Sequence, residues 1–200
     1  MIGQKLFRSL LWVNMGAMLF DLIQVLFNGT SYKYSYLIET VSIFFYYLLY
    51  SLIAYIFTLY ADYELYPDNN RFKKRAIIYS IPAAVMVVMC VASLWNGWYF
   101  VIDETNSYLR GTLFYIPTII SFGYILYILR MLTMYKRDNL LETNAQKDLY
   151  KRLFIFPMTP CVGAILQIML PGSVWIFPGT TLAILTNYIA IQNGYIARDH

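Results

Sequence analysis

Charge is what this chain has least of. Only 13% of its 200 residues are Asp, Glu, Lys or Arg, about half the share that a water-facing domain ordinarily carries. Histidine is limited to the last residue, His200. The two cysteines, Cys90 and Cys161, fall inside apolar blocks without metal-ligand spacing and read as small buried hydrophobes. Neither CxxC nor HExxH occurs, so the usual metal centres and His-based catalysis lack their parts, and no cofactor is expected. The 15 basic residues outnumber the 11 acidic ones, but they sit in short clusters between apolar blocks. That placement is a membrane orientation signal and argues against nucleic acid as a partner.

What fills the chain is apolar. Hydrophobic residues make up 60% and aromatics 18%, the mean hydropathy is +0.53, and several apolar blocks exceed the roughly 18 residues that mark a bilayer-spanning helix. The expected architecture is an all-α, polytopic bundle of six transmembrane helices in contact with the lipid bilayer, at 6–27, 36–60, 76–99, 109–135, 152–170 and 174–193. Lys5 and Arg8 precede a first block that lacks a small-residue cleavage site, so it is expected to remain as a span. Arg71, Lys73, Lys74 and Arg75 occupy the second break; Lys136, Arg137, Lys147, Lys151 and Arg152 occupy the fourth; only Lys33 and Arg110 fall on the opposite side. Short Lys/Arg-rich loops stay in the cytoplasm, which predicts both termini inside.

Ionisable groups inside a span are costly and point to function. The first span contains Asn14, Asp21, Gln24 and Asn28, and the second begins with Glu39, Thr40 and Ser42. Gln167 lies near the end of the fifth span, close to Trp175 at the start of the sixth. With both termini inside, Asp21, Glu39, Gln167 and the loop residue Arg110 all fall in the outer half. Two readings stand side by side: an outward-facing ligand pocket, or structural polar packing in which Asp21 pairs with Arg110. Most of the 20 tyrosines lie near span ends and suit an interfacial belt. Tyr46 and Tyr50 lie deeper, share a helix face at i, i+4 spacing, and are candidates for packing or for the pocket.

The fifth and sixth spans form a hairpin joined by "LPGSVW", and Pro157 and Pro160 should bend the fifth. In the last span Leu182, Leu185, Ile189, Gln192 and Ile196 follow the 3-4-3-4 spacing of a coiled-coil seam. Such spacing would suit a homodimer, and it also arises readily in any apolar span.

Three groups of residues carry a resemblance. They are Tyr99, Ile102, Asp103, Tyr108, Arg110 and Gly111 in the outer segment; Pro157, Leu166 and Gln167 in the hairpin; and Gln192, Asn193, Ile196 and Asp199 at the end. Together the chain resembles the six-helix membrane sensor region found ahead of GGDEF diguanylate cyclase domains in Gram-positive bacteria, with related regions on some histidine kinases. The outer pattern has one extra residue in its first interval. The resemblance implies a sensor domain over residues 1–193 in the bacterial cytoplasmic membrane, with 194–200 beginning an output linker to an effector that these residues do not include. It implies no enzyme activity in the chain itself. The expected ligand site comprises Asp21, Gln24, Glu39, Tyr46, Tyr50, Arg110, Gln167 and Trp175, for an unidentified small or lipid-like molecule. Pro157, Pro160, Ile189, Gln192 and Ile196 are expected to transmit the signal. A small-molecule transporter is the alternative.

Overall fold

The computed structural model describes residues 2–138, 143–169, 179–186, 188 and 189. It is helical apart from one small hairpin. The elements are α1 (Ile2–Phe27), α2 (Ser35–Leu65), α3 (Asn69–Asn96), β1 (Phe100–Ile102), β2 (Tyr108–Arg110), α4 (Ile116–Arg137) and α5 (Asn144–Met169), followed by a further helical stretch at 179–186 that also includes 188 and 189. Among the described residues, four helices are long and apolar enough to cross a membrane, namely α1, α2, α3 and α4. Their outward faces carry large apolar side chains such as Trp12, Leu22, Ile77, Val88 and Leu126, a surface suited to lipid rather than water.

Local chemistry sets the boundaries and moves several from where hydropathy alone puts them. Asp68 caps α3 by accepting from the Asn70 and Arg71 amides at 3.0 and 3.5 Å, so the helix starts at Asn69 rather than 76 and carries the basic cluster on its first turns. Gly97, at φ +62°, ends it in the left-handed conformation. The expected fourth span at 109–135 loses its first turns to the antiparallel hairpin, in which Phe100 pairs with Arg110 and Ile102 with Tyr108. α4 then begins at Ile116 with Pro117 in its first turn. α5 begins eight residues before 152 because Thr143 and Gln146 form a reciprocal capping box, the Gln146 amide bonding the Thr143 hydroxyl and the Thr143 amide bonding Gln146 Oε1.

The chain divides into two compact units, 1–128 and 129–200. In the first, α1 runs antiparallel along α2, as the Phe7–Tyr60 and Phe20–Phe45 ring pairs show. One core cluster, around Ile43, Tyr47, Cys90, Tyr99 and Phe100, lies at the hairpin end of α2 and α3. Another, around Leu59, Tyr79, Ala83, Met86 and Tyr124, lies toward the opposite end. In the second unit, Leu132, Tyr135, Leu153, Phe156, Ala183 and Ile184 are buried. Pro160 has no N–H for the Phe156 carbonyl four residues back, and the Thr159 hydroxyl takes that carbonyl instead at 3.0 Å. A Cβ on Gly179 would strike the Thr159 carbonyl, so backbone meets backbone there.

Candidate functional site

At one end of the first unit, the hairpin is fastened to the α1–α2 connection through side-chain amides. Asn28 Oδ1 accepts from the Tyr108 amide at 2.9 Å. Asn106, held at φ +57°, donates from Nδ2 to the Phe27 and Thr30 carbonyls at 3.1 and 3.2 Å, and its own carbonyl accepts from the Gly29 amide. Inside the turn, Asp103 Oδ1 accepts from the Thr105 hydroxyl, the Thr105 amide and the Ser107 amide at 2.7 to 2.9 Å. The Thr105 hydroxyl and then the Ser107 amide hold the Asp103 carboxyl below the usual carboxylate range. At its base the hairpin is tied to α3 by Ser93, whose hydroxyl accepts from the Tyr99 amide at 2.7 Å.

The docked hairpin brings Tyr108 to α2, where its hydroxyl meets that of Tyr47 at 2.8 Å. Phe100 stacks on the Tyr47 ring, centroids 5.9 Å apart. Tyr46 and Tyr50 stack on one another along the same helix. Asp21, Tyr50, Tyr108 and Arg110 are all within electrostatic reach of the Tyr46 hydroxyl, and Thr118 and Ser121 of α4 face the Tyr50 hydroxyl. Arg110 is exposed and places its guanidinium over the Phe114 ring at 5.2 Å. Chemically, this is a group of phenol hydroxyls with a carboxyl from α1 and a guanidinium from β2 within electrostatic reach.

Of the expected site residues, Tyr46 and Tyr50 stack on one another, and Asp21 and Arg110 lie within electrostatic reach of the Tyr46 hydroxyl. No ion pair joins Asp21 to Arg110 among the described residues; the ion pairs there are Arg75–Asp62 and Arg137–Asp138. Gln24 is half-buried on α1. Glu39 lies seven residues before Tyr46 on α2, fully buried nearer the hairpin turn. Trp175, Gln192, Ile196 and the side chain of Gln167 lie outside the described residues. In the second unit Pro157 is buried, Pro160 half-buried and Ile189 exposed.

Sequence reasoning missed a second polar group at the other end of α2. Asp62, 1% exposed, accepts a hydrogen bond from Arg75. The Tyr66 ring lies under both Arg71 and Arg75, at 4.6 and 5.6 Å. Nearby, the Tyr79 and Tyr127 hydroxyls bond at 2.9 Å, and the Tyr124 hydroxyl donates to the Tyr79 carbonyl. Ending the second span at residue 60 and starting the third at 76 assigned both charges to a loop. The usable signal was their closeness to the Pro67–Asp68 break, five residues before it and seven after, which makes them neighbours on antiparallel helices.

Comparison with known protein families, characterised proteins and solved structures gives no match.

Proposed function

We propose that this chain is a membrane-embedded signal-input region that binds a small or lipid-like molecule and regulates a cytoplasmic GGDEF diguanylate cyclase effector placed after it. In this reading the bundle has six spans in a bacterial cytoplasmic membrane, with both termini in the cytoplasm, in keeping with the basic clusters on one set of loops. The observation that carries the proposal is that Asp21 of α1 and Arg110 of β2 both lie within electrostatic reach of Tyr46, which stacks on Tyr50 in α2. Polar groups drawn from separate elements to one place are what a binding site needs and what a passive anchor does not. Residues 99–111, which carry the resemblance to the sensor regions, build the same end.

A ligand bridging Arg110 and the tyrosine row favours the state in which the hairpin is clamped to α2, and differential affinity shifts the population. The last helices pass the change to the effector as a dimer.

The test uses the chain joined after residue 200 to a GGDEF diguanylate cyclase domain in cells, with cyclic di-GMP as the readout. Arg110→Ala and Asp21→Asn each change the output at equal protein level, and a reporter fused after residue 200 reports a cytoplasmic position. Unchanged output in both variants, or an external reporter, overturns the proposal. Solute uptake by proteoliposomes of the purified chain would favour a permease.

A further inference from the structure

Glu39 is the polar group that the tyrosine site leaves unexplained. It is completely buried, and neither carboxylate oxygen has a hydrogen-bond donor. An ionised carboxylate in that condition is strongly disfavoured, so it must be neutralised. The neighbouring hairpin makes matters worse for the charge, because Asp103 adds a second negative group within electrostatic reach.

Ser35 and Glu39 are one helical turn apart on the same face of α2. The Ser35 hydroxyl and Asn106 Nδ2 both donate to the Thr30 carbonyl, at 2.8 and 3.2 Å, which brings Asn106 over the first turn of α2. Asn106 Oδ1 is also buried and also without a donor. Three buried oxygens, two from Glu39 and one from Asn106, thus stand without a donor on two separate elements that meet at the Thr30 carbonyl. Asp103 stands three residues from Asn106, on the surface side. Oxygen-only acceptors plus uncompensated negative charge match a hard cation. Calcium tolerates a bidentate carboxylate, an amide oxygen and irregular geometry better than magnesium does.

We propose that Glu39 and Asn106 bind a calcium ion or a similar hard cation, with Asp103 as the outlying charge that attracts it. The ion joins α2 to the hairpin and to the α1–α2 connection, so it sets how firmly the cap over the tyrosine site is closed. The cation site does not depend on the signal-input proposal, because Glu39 is buried in the same way whatever the protein regulates.

The test uses the purified full chain in a nonionic detergent, with the thermal midpoint followed at rising CaCl2 against KCl of equal ionic strength. In the wild type the midpoint rises by several degrees and saturates, as linkage to a ligand of the folded state requires. Glu39→Gln abolishes the rise. Asp103→Asn, which keeps an acceptor in the turn, shifts the midpoint of the calcium dependence several-fold upward. Direct binding of radiolabelled calcium to wild type and to Asp103→Asn gives a measure that survives if Glu39→Gln fails to fold. A flat calcium response together with no bound calcium in the wild type overturns the proposal. So does a Glu39→Gln protein that keeps the full shift. A midpoint that moves with pH and not with CaCl2 overturns it in favour of a bound proton. Cyclic di-GMP output enters none of these readouts, so failure here is separate from failure of the signal-input proposal.

Discussion

Asp62 of α2 and Arg75 of α3 face each other across the Pro67–Asp68 break, and the carboxylate of Asp62 is almost entirely covered while a quarter of the Arg75 side chain stays accessible. Removing one member leaves the other without its counter-charge. Arg75→Ala should destabilise the folded chain by about 2–4 kcal/mol, a little under the loss for fully buried pairs because Arg75 is partly solvated. The double change Asp62→Asn with Arg75→Met should recover much of that loss. Chemical unfolding in mixed micelles, arranged as a double-mutant cycle, measures the coupling; additive effects would show that the pair contributes nothing.

Tyr108→Phe removes the hydroxyl bonded to Tyr47 and leaves that buried phenol short of a partner. A cost of about 1 kcal/mol is expected, and it should fall on the hairpin. Hydrogen exchange at residues 100–110 should speed up while exchange in the middle of α3 stays as it was.

The Asp103 carboxyl titrates below its ordinary value of 3.8, so the turn gains from its ionised form. That gain is complete above the ordinary value and disappears as pH falls through the depressed one. Amide protection at Ser107 should therefore be constant from neutral pH down to about 4 and decline below it. In Asp103→Asn the same amide should show no such acid step.

Gly111 lies where any Cβ would collide with the Gly97 and Trp98 carbonyl groups. These are backbone atoms that cannot swing aside. Gly111→Ala should cost about 1–3 kcal/mol and lower the yield of folded protein, whereas Gly123→Ala, which meets nothing, should be neutral or mildly stabilising. Comparing the two midpoints under identical conditions checks the claim.

Leu182, Leu185 and Ile189 are exposed on the last described helical stretch. If they form the seam proposed for a dimer, Ile189→Cys should cross-link copies in membranes on mild oxidation. A cysteine at Ile184, on the opposite and buried face of the stretch, should not. Equal cross-linking at both positions would mean random collision.

The four long apolar helices α1 to α4 were legible in the sequence because long apolar blocks admit few alternatives in a chain so poor in charge. Their ends were not, because ends depend on single side chains that hydropathy averages away: the Asp68 cap, the Thr143–Gln146 box, and the turn held by Asp103. The tyrosine site was legible in part. Asp21, Tyr46, Tyr50 and Arg110 stand out as polar groups in apolar company, but the means of gathering them does not. That gathering depends on Asn106 in a left-handed conformation reaching the carbonyls of Phe27 and Thr30, some 76 to 79 residues away along the chain. No local pattern encodes such a contact.

The length of α2 has a consequence for where its carboxyls rest. At 31 residues it is about 46 Å long, against roughly 30 Å of hydrocarbon. Glu39 and Asp62 are 23 positions apart, about 35 Å along the axis, so in a bilayer they would bracket the greasy slab as two acidic bookends at opposite headgroup levels. Shorter acyl chains would leave both levels in headgroup water, longer ones would draw at least one into the slab, and the rod would lean to spare it.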